Sequence, residues 1–131
     1  MCKISINSVK MCSDLSKFNI VPNKTCNEKF ISLENNEYTN HYIRGFLDGD
    51  GTIYKSKGRA HIRFCGSYEF LHGLKKYMKE NKIIQNDNKI IIDTNKNISY
   101  YCFANKKDIE SFKKNIYKNA TIYLDRKYNN L

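Results

Sequence analysis

The sequence predicts an α+β fold: one antiparallel sheet with helices gathered on one side. Three observations lead there. Several stretches carry apolar residues at three- and four-residue spacing, the period of a helix. Between them lie short runs in which apolar and polar residues alternate, the period of a strand. From residue 38 onward these stretches follow one another in the order α-β-β-α-β-β-α-α.

Residues 7–18 place Val9, Met11, Cys12, Leu15 and Phe18 at helical spacing, and Pro22 biases Val21 away from helix and ends the stretch. Residues 26–37 are polar with a few apolar positions and read as a connector. A second helix runs from Tyr38 to about Asp48. Thr52–Ser56 and Arg59–Gly66 alternate across Lys57-Gly58, which predicts a hairpin with glycine in the turn. Ser67 is placed to cap a helix through Phe70, Leu71, Leu74, Tyr77 and Met78, ending near Asn81. Residues 82–85, 89–94 and 98–103 are rich in β-formers and broken by Asn-Asp-Asn and Asn-Lys-Asn turns, so a second hairpin is expected there. Lys106–Tyr117 repeats Ile109, Phe112, Lys113 and Ile116 at helical spacing, and a last short helix is expected around Tyr123–Tyr128.

The chain of 131 residues fits one modest domain whose core draws on 10 Tyr and 7 Phe, with no Trp. Lys and Arg number 23 against 13 Asp and Glu, giving a net charge of +10. Such a field attracts polyanions, nucleic acid first among them. Charge does not decide the matter alone, because a chain rich in Lys, Asn and Ile is also what AT-rich coding sequence produces. No apolar run approaches membrane-spanning length, and residues 1–10 hold no signal-peptide core. An intracellular protein without a membrane partner is therefore expected; cytoplasm, nucleoid and organelle matrix are not distinguished. The five cysteines are scattered, form no C-x-x-C pair and have no zinc-finger spacing with histidine, which argues against a zinc site or a disulfide framework.

The segment Ile43-Arg44-Gly45-Phe46-Leu47-Asp48-Gly49-Asp50-Gly51 ends a helix in two carboxylates one glycine apart, just before a strand. At about 100° per residue, Tyr42, Gly45, Phe46 and Gly49 share one stripe, while Ile43 and Leu47 face elsewhere, toward the sheet. A glycine inside a helix costs roughly 1 kcal/mol relative to alanine, so two of them call for a reason, and close helix–helix approach is one. Asp48 and Asp50 lie about 200° apart if both are helical. Asp50, last to leave the helix, is then the candidate to reach a ligand, and Asp48 the one held by nearby backbone or polar groups. Carboxylates suit Mg²⁺, which takes a few protein oxygens together with water and phosphate. The plainer alternative is a helix exit through the common Asp-Gly turn. A calcium loop beginning at Asp48 is excluded, because Ile53 and Arg59 would fill its obligatory glycine and glutamate positions.

In the hairpin, Tyr54 and Ser56 of one strand and His61, Arg63 and Cys65 of the other share a face, with Lys57 and Arg59 at the turn. That set can touch base edges and phosphates in a major groove. It is equally the composition of an ordinary solvated sheet face.

Ile43–Gly51 resembles the nine-residue signature of the LAGLIDADG homing endonucleases, matching it at Gly45, Asp48, Asp50 and Gly51, with Arg44 and Gly49 in place of the two consensus alanines. Asn19–Thr25, His41–Gly45, Phe64–Ser67 and Tyr123–Lys127 are similar to further family segments. The resemblance implies an αββαββα unit whose curved antiparallel sheet lies on DNA with the helices behind it. It implies motif helices from two units packed through Tyr42, Gly45, Phe46 and Gly49. Metal-assisted cleavage of double-stranded DNA follows, with Asp50 and the Gly49 carbonyl holding Mg²⁺ or another divalent ion such as Mn²⁺, and Lys127 as the basic residue near the scissile phosphates. The DNA-contacting set would be Tyr54, Ser56, Lys57, Arg59, His61, Arg63 and Cys65. No residue of Cys65-Gly66-Ser67 is an obvious base.

Only one motif is present. A unit spanning 38–131 then needs a homodimeric partner or a second LAGLIDADG unit, and residues 1–37 are similar to the tail of a preceding one. The alternatives are a non-catalytic nucleic-acid binder, such as an RNA maturase acting on an intron or a regulatory DNA-binding module, and a decayed fragment of a two-motif enzyme.

Overall fold

A computed structural model describes residues 5–18, 20, 28–95 and 98–131. The elements in chain order are α1 (Val9–Lys17), α2 (Asn36–Gly49), β1 (Thr52–Ser56), β2 (Arg59–Gly66), α3 (Tyr68–Glu80), β3 (Ile90–Asp93), β4 (Ile98–Phe103), α4 (Lys106–Ile116) and α5 (Asp125–Tyr128). The strands form one antiparallel sheet in the order β1-β2-β4-β3. This is the expected α+β arrangement.

Local chemistry sets the boundaries. Asn35, Ser67 and Asn105 each accept a backbone N–H through the side chain, at Glu37, Phe70 and Lys107 respectively, and so start α2, α3 and α4. The Asn35 cap begins α2 two residues before Tyr38. Lys57 and Gly58, at φ 49° and 73°, close the β1–β2 hairpin with both central residues left-handed, as the tightest hairpin turn requires.

Residues 82–85 do not form the expected strand. Lys82 takes a positive φ of 56°, and the N–H groups of Ile83 and Ile84 return to the Met78 carbonyl, wrapping the end of α3. Both isoleucines are buried as plugs beneath the helix and pair with no strand. The expected Asn19–Lys24 stop, the family-like stretch Asn19–Thr25 apart from Ile20, and most of the Asn95–Asn97 turn lie outside the described residues.

The core lies between one sheet face and helices α2, α3 and α4. Ile53, Ile62, Phe64, Tyr101 and Phe103 point into it from the strands, and Ile43, Leu47, Phe70, Leu71, Leu74 and Phe112 from the helices. Ile43 and Leu47 occupy the sheet-facing stripe expected of them. The alternate residues of the strands form the opposite face of the sheet. α1 buries none of its residues.

Candidate active site

The end of α2 is built by a tight reversal. The Asp50 N–H donates to the Phe46 carbonyl at 2.9 Å, and the Gly51 N–H to Leu47 at 3.0 Å. Gly51 is buried, and a Cβ there would lie 2.5 Å from Leu47 Cδ1 and 2.8 Å from the Leu47 carbonyl. Only glycine lets the chain fold back so closely and enter β1. The two motif acids part company here. Asp48 turns inward: its Oδ2 accepts the Leu124 N–H at 3.1 Å, and its Oδ1 is buried with no partner among the described residues. Asp50 is exposed at the tip.

The C-terminal segment ties down this helix end. Lys127 is buried, and its Nζ donates to the carbonyls of Leu47 at 2.5 Å, Gly51 at 2.6 Å and Asp48 at 2.8 Å. A cation on the last carbonyls also opposes the negative end of the helix dipole. Burial pushes the ammonium below the ordinary lysine value and Arg126 adds to that, while Asp48 and Asp50 pull it back up. Arg44, at an alanine position of the motif consensus, is a second tie. Its Nε donates to the Ile122 carbonyl at 3.1 Å, and one terminal nitrogen donates to the Ile116 carbonyl at 3.0 Å and lies 2.7 Å from His41 Nδ1.

Asp50 lies on a cleft of 270 Å³ whose walls include Glu28, Tyr42, Phe46, Cys65 and Ser67. Glu28 falls within the stretch read as a connector, and no spacing in the sequence marks it. Its Oε1 accepts the Ser67 N–H at 2.7 Å, and its Oε2 is buried without a partner among the described residues. The Cys65 thiol is pushed up by burial, then by Asp50 and Glu28, against a lowering from Arg63. Cys65 therefore keeps its proton at neutral pH and supplies neither base nor thiolate.

The Tyr42–Gly45–Phe46–Gly49 stripe divides. Tyr42 packs on Phe30 at 5.8 Å between ring centroids, and Phe46 on Phe70 at 4.3 Å, both within the chain. Gly45 and Gly49 are exposed, and a Cβ built at either meets nothing within 4 Å.

On the open sheet face, Tyr54 and His61 sit opposite each other and stack at 4.8 Å with ring planes 9° apart. The Arg63 guanidinium lies 5.8 Å from the Tyr54 ring and 5.6 Å from that of Tyr100. Ser56, Lys57 and Arg59 are exposed at the hairpin tip. Tyr100, paired with Cys65 across β2–β4, joins this face through a register that no local pattern reveals.

Comparison with known proteins bears on residues 37–117, which match the model of the LAGLIDADG-like domain. The chain belongs to the LAGLIDADG-like domain family. Among solved structures, it is similar to the I-SmaMI LAGLIDADG homing endonuclease bound to cleaved DNA, with 15% identity and a TM-score of 0.47. That similarity covers 95% of this chain but 43% of the other, so this chain spans less than half the length of that protein. No curated protein matches.

The LAGLIDADG-like stretch takes in the helix of the acidic tip, all four strands, α3 and α4, while Lys127 lies beyond it in α5. Among the described residues of this LAGLIDADG-like chain, no group of three or more His, Cys, Asp or Glu side chains is placed to hold a metal. Asp50 offers one exposed carboxylate. The Gly49 carbonyl beside it is not among the three that Lys127 engages. One carboxylate and one carbonyl suit a hard ion that draws its other oxygens from phosphate, water and a second acid.

Proposed function

We propose that this chain is a site-specific, double-strand DNA endonuclease of the homing type, hydrolysing phosphodiester bonds with a divalent metal and acting as a homodimer or paired with a second unit. The observation that carries the reading is the exposed Asp50 carboxylate at the end of the family motif, on a cleft it shares with Cys65 of the open sheet face. Family membership and the net charge of +10 support it.

In this reading Asp50 and the Gly49 carbonyl hold Mg²⁺ or Mn²⁺. When bound, the ion supplies Lewis acidity at the phosphate and an activated water. The chain's own residues do the rest. Lys57 and Arg59 hold backbone phosphates from the hairpin tip, and Tyr54, Ser56, His61, Arg63 and Cys65 face the bases. Lys127 fixes the carbonyls on either side of Gly49. One acid per chain serves one strand, so the second cut calls for a second unit. The side-chain-free surface at Gly45 and Gly49 supports close packing of two α2 helices.

The test is incubation of the folded protein with a duplex target library in Mg²⁺ and in EDTA. Metal-dependent cutting is expected from the wild type, and Asp50→Asn should bind without cutting. Cutting that survives this substitution would remove Asp50 from the proposed role. One observation favours a second reading, a non-catalytic nucleic-acid binder such as a maturase acting on intron RNA. The Lys127 ammonium has three carbonyl acceptors already, so it lacks a donor to spare for a phosphate. On that reading no condition yields cleavage and Asp50→Asn changes nothing.

A further inference from the structure

We propose that Arg63 is a base-reading residue of this protein, recognising guanine in a duplex half-site; this rests on the DNA-binding reading above. Position comes first. β2 is an inner strand, flanked by β1 and β4, and Arg63 lies opposite Thr52 on one side and Cys102 on the other. It therefore emerges near the middle of the open face. When a sheet enters a groove, its middle meets base edges and its rim meets the backbone.

Restraint comes second. The guanidinium sits between two tyrosine rings, 5.8 Å from Tyr54 and 5.6 Å from Tyr100, and Tyr54 is itself stacked against His61. Arginine is planar and stacks on aromatic faces while its donor edge stays free. Arg63 is exposed, and among the described residues it makes no hydrogen bond and no ion pair. A cation without a carboxylate partner, held between aromatic rings with its fork unused, is prepared for a flat ligand with two adjacent acceptors. Guanine presents O6 and N7 in that manner at the major-groove edge, and bidentate arginine is its commonest partner. Lys57 and Arg59, exposed at the hairpin tip, lie where phosphates would be met.

The experiment is selection from a random duplex library without metal, so that bound DNA stays intact, with wild type, Arg63→Gln and Arg63→Lys compared at several salt concentrations. The wild type is expected to require guanine at one position of each half-site. Both variants should lose that preference by roughly 5- to 150-fold, the range one bidentate pair provides. Other positions of the consensus should stay as they were. Arg63→Lys, which retains the charge, should also leave the salt dependence unchanged. Tyr100→Leu, which removes the ring on one side of the guanidinium, should weaken the same preference and no other.

A consensus that neither Arg63 variant alters would overturn the assignment while leaving the nuclease reading intact. So would a uniform loss of affinity with a salt slope smaller by about one, the mark of a phosphate contact. A wild type that enriches no duplex sequence, or that prefers single-stranded RNA, would overturn both.

Discussion

Replacing Lys127 with Met tests whether this lysine acts on the protein or on the nucleic acid. The side chain is buried, and its ammonium has three carbonyl partners. Methionine fills similar volume but removes the donor from those carbonyls. Two of the three bonds, to Leu47 and Gly51, are buried, and the third is partly buried. Leu47's carbonyl keeps the Gly51 N–H, so the buried acceptor that loses its donor is Gly51's, at a cost of about 1–3 kcal/mol. The ammonium's own burial offsets part of this. Its lowered pKa means the folded chain disfavours the charged form relative to the unfolded one. A net loss on the order of 1–2 kcal/mol remains, a noticeable share of the ~5–15 kcal/mol that stabilises a typical domain. The assay is urea unfolding followed by far-ultraviolet circular dichroism, with metal-dependent cleavage measured alongside. Sign matters for pH as well. The charge-burial penalty on Lys127 applies in full below its lowered folded pKa, is relieved as pH rises through it, and is gone above the ordinary lysine value. The stability difference between wild type and K127M should thus widen as the solution is made alkaline. The reasoning is refuted if K127M keeps its stability within about 0.5 kcal/mol, the size of an ordinary surface change, yet loses cleavage. Lys127 would then work on a phosphate.

Gly51→Ala should destabilise the fold by about 1–3 kcal/mol, read by the same unfolding assay, because its Cβ meets Leu47 backbone at 2.8–2.9 Å; an unchanged midpoint would show that the α2–β1 reversal can open at no cost. A Cβ at the exposed Gly45 meets nothing within 4 Å, so Gly45→Leu should raise stability by up to roughly 1 kcal/mol through helix propensity while abolishing self-association in sedimentation and, with it, double-strand cleavage. A Gly45→Leu protein that still self-associates and cuts both strands would remove α2 from the proposed pairing surface.

Sequence legibility followed the range of the forces involved. The β1–β2 hairpin is found at its expected boundaries, because alternation and a Lys-Gly turn act over a few residues. α3 was equally legible, since the Ser67 cap and the Phe70–Met78 stripe are local. Ile83 and Ile84 misled because a short β-branched apolar run carries no period; burial under α3 claimed them before any strand did. Arg44 resembles a tolerated substitution in the motif and is a tie across 72 and 78 residues of sequence. Tyr100 and Glu28 were out of reach for the same reason. One joins the open face through strand register, the other reaches the Asp50 cleft through its bond to Ser67.

This difference in range also explains how one short motif does two things. Its polar residues do not all face outward. Arg44 and Asp48 turn inward to the segment 116–124, and the carbonyls of Leu47, Asp48 and Gly51 turn to Lys127. Asp50 alone among the motif's charged side chains is exposed. The ~200° between two helical positions that are two residues apart makes this division unavoidable: a helix that anchors one acid must present the other. Anchoring has value, because a carboxylate that serves a metal must stay within fractions of an ångström of its place, and a bare helix terminus frays. The final turn of α2 would be weak alone, with unsatisfied carbonyls and two glycines. It is held by residues more than 70 positions away. The chemistry proposed for Asp50 therefore depends on α5 as much as on the motif, although α5 lies outside the stretch by which the family is recognised.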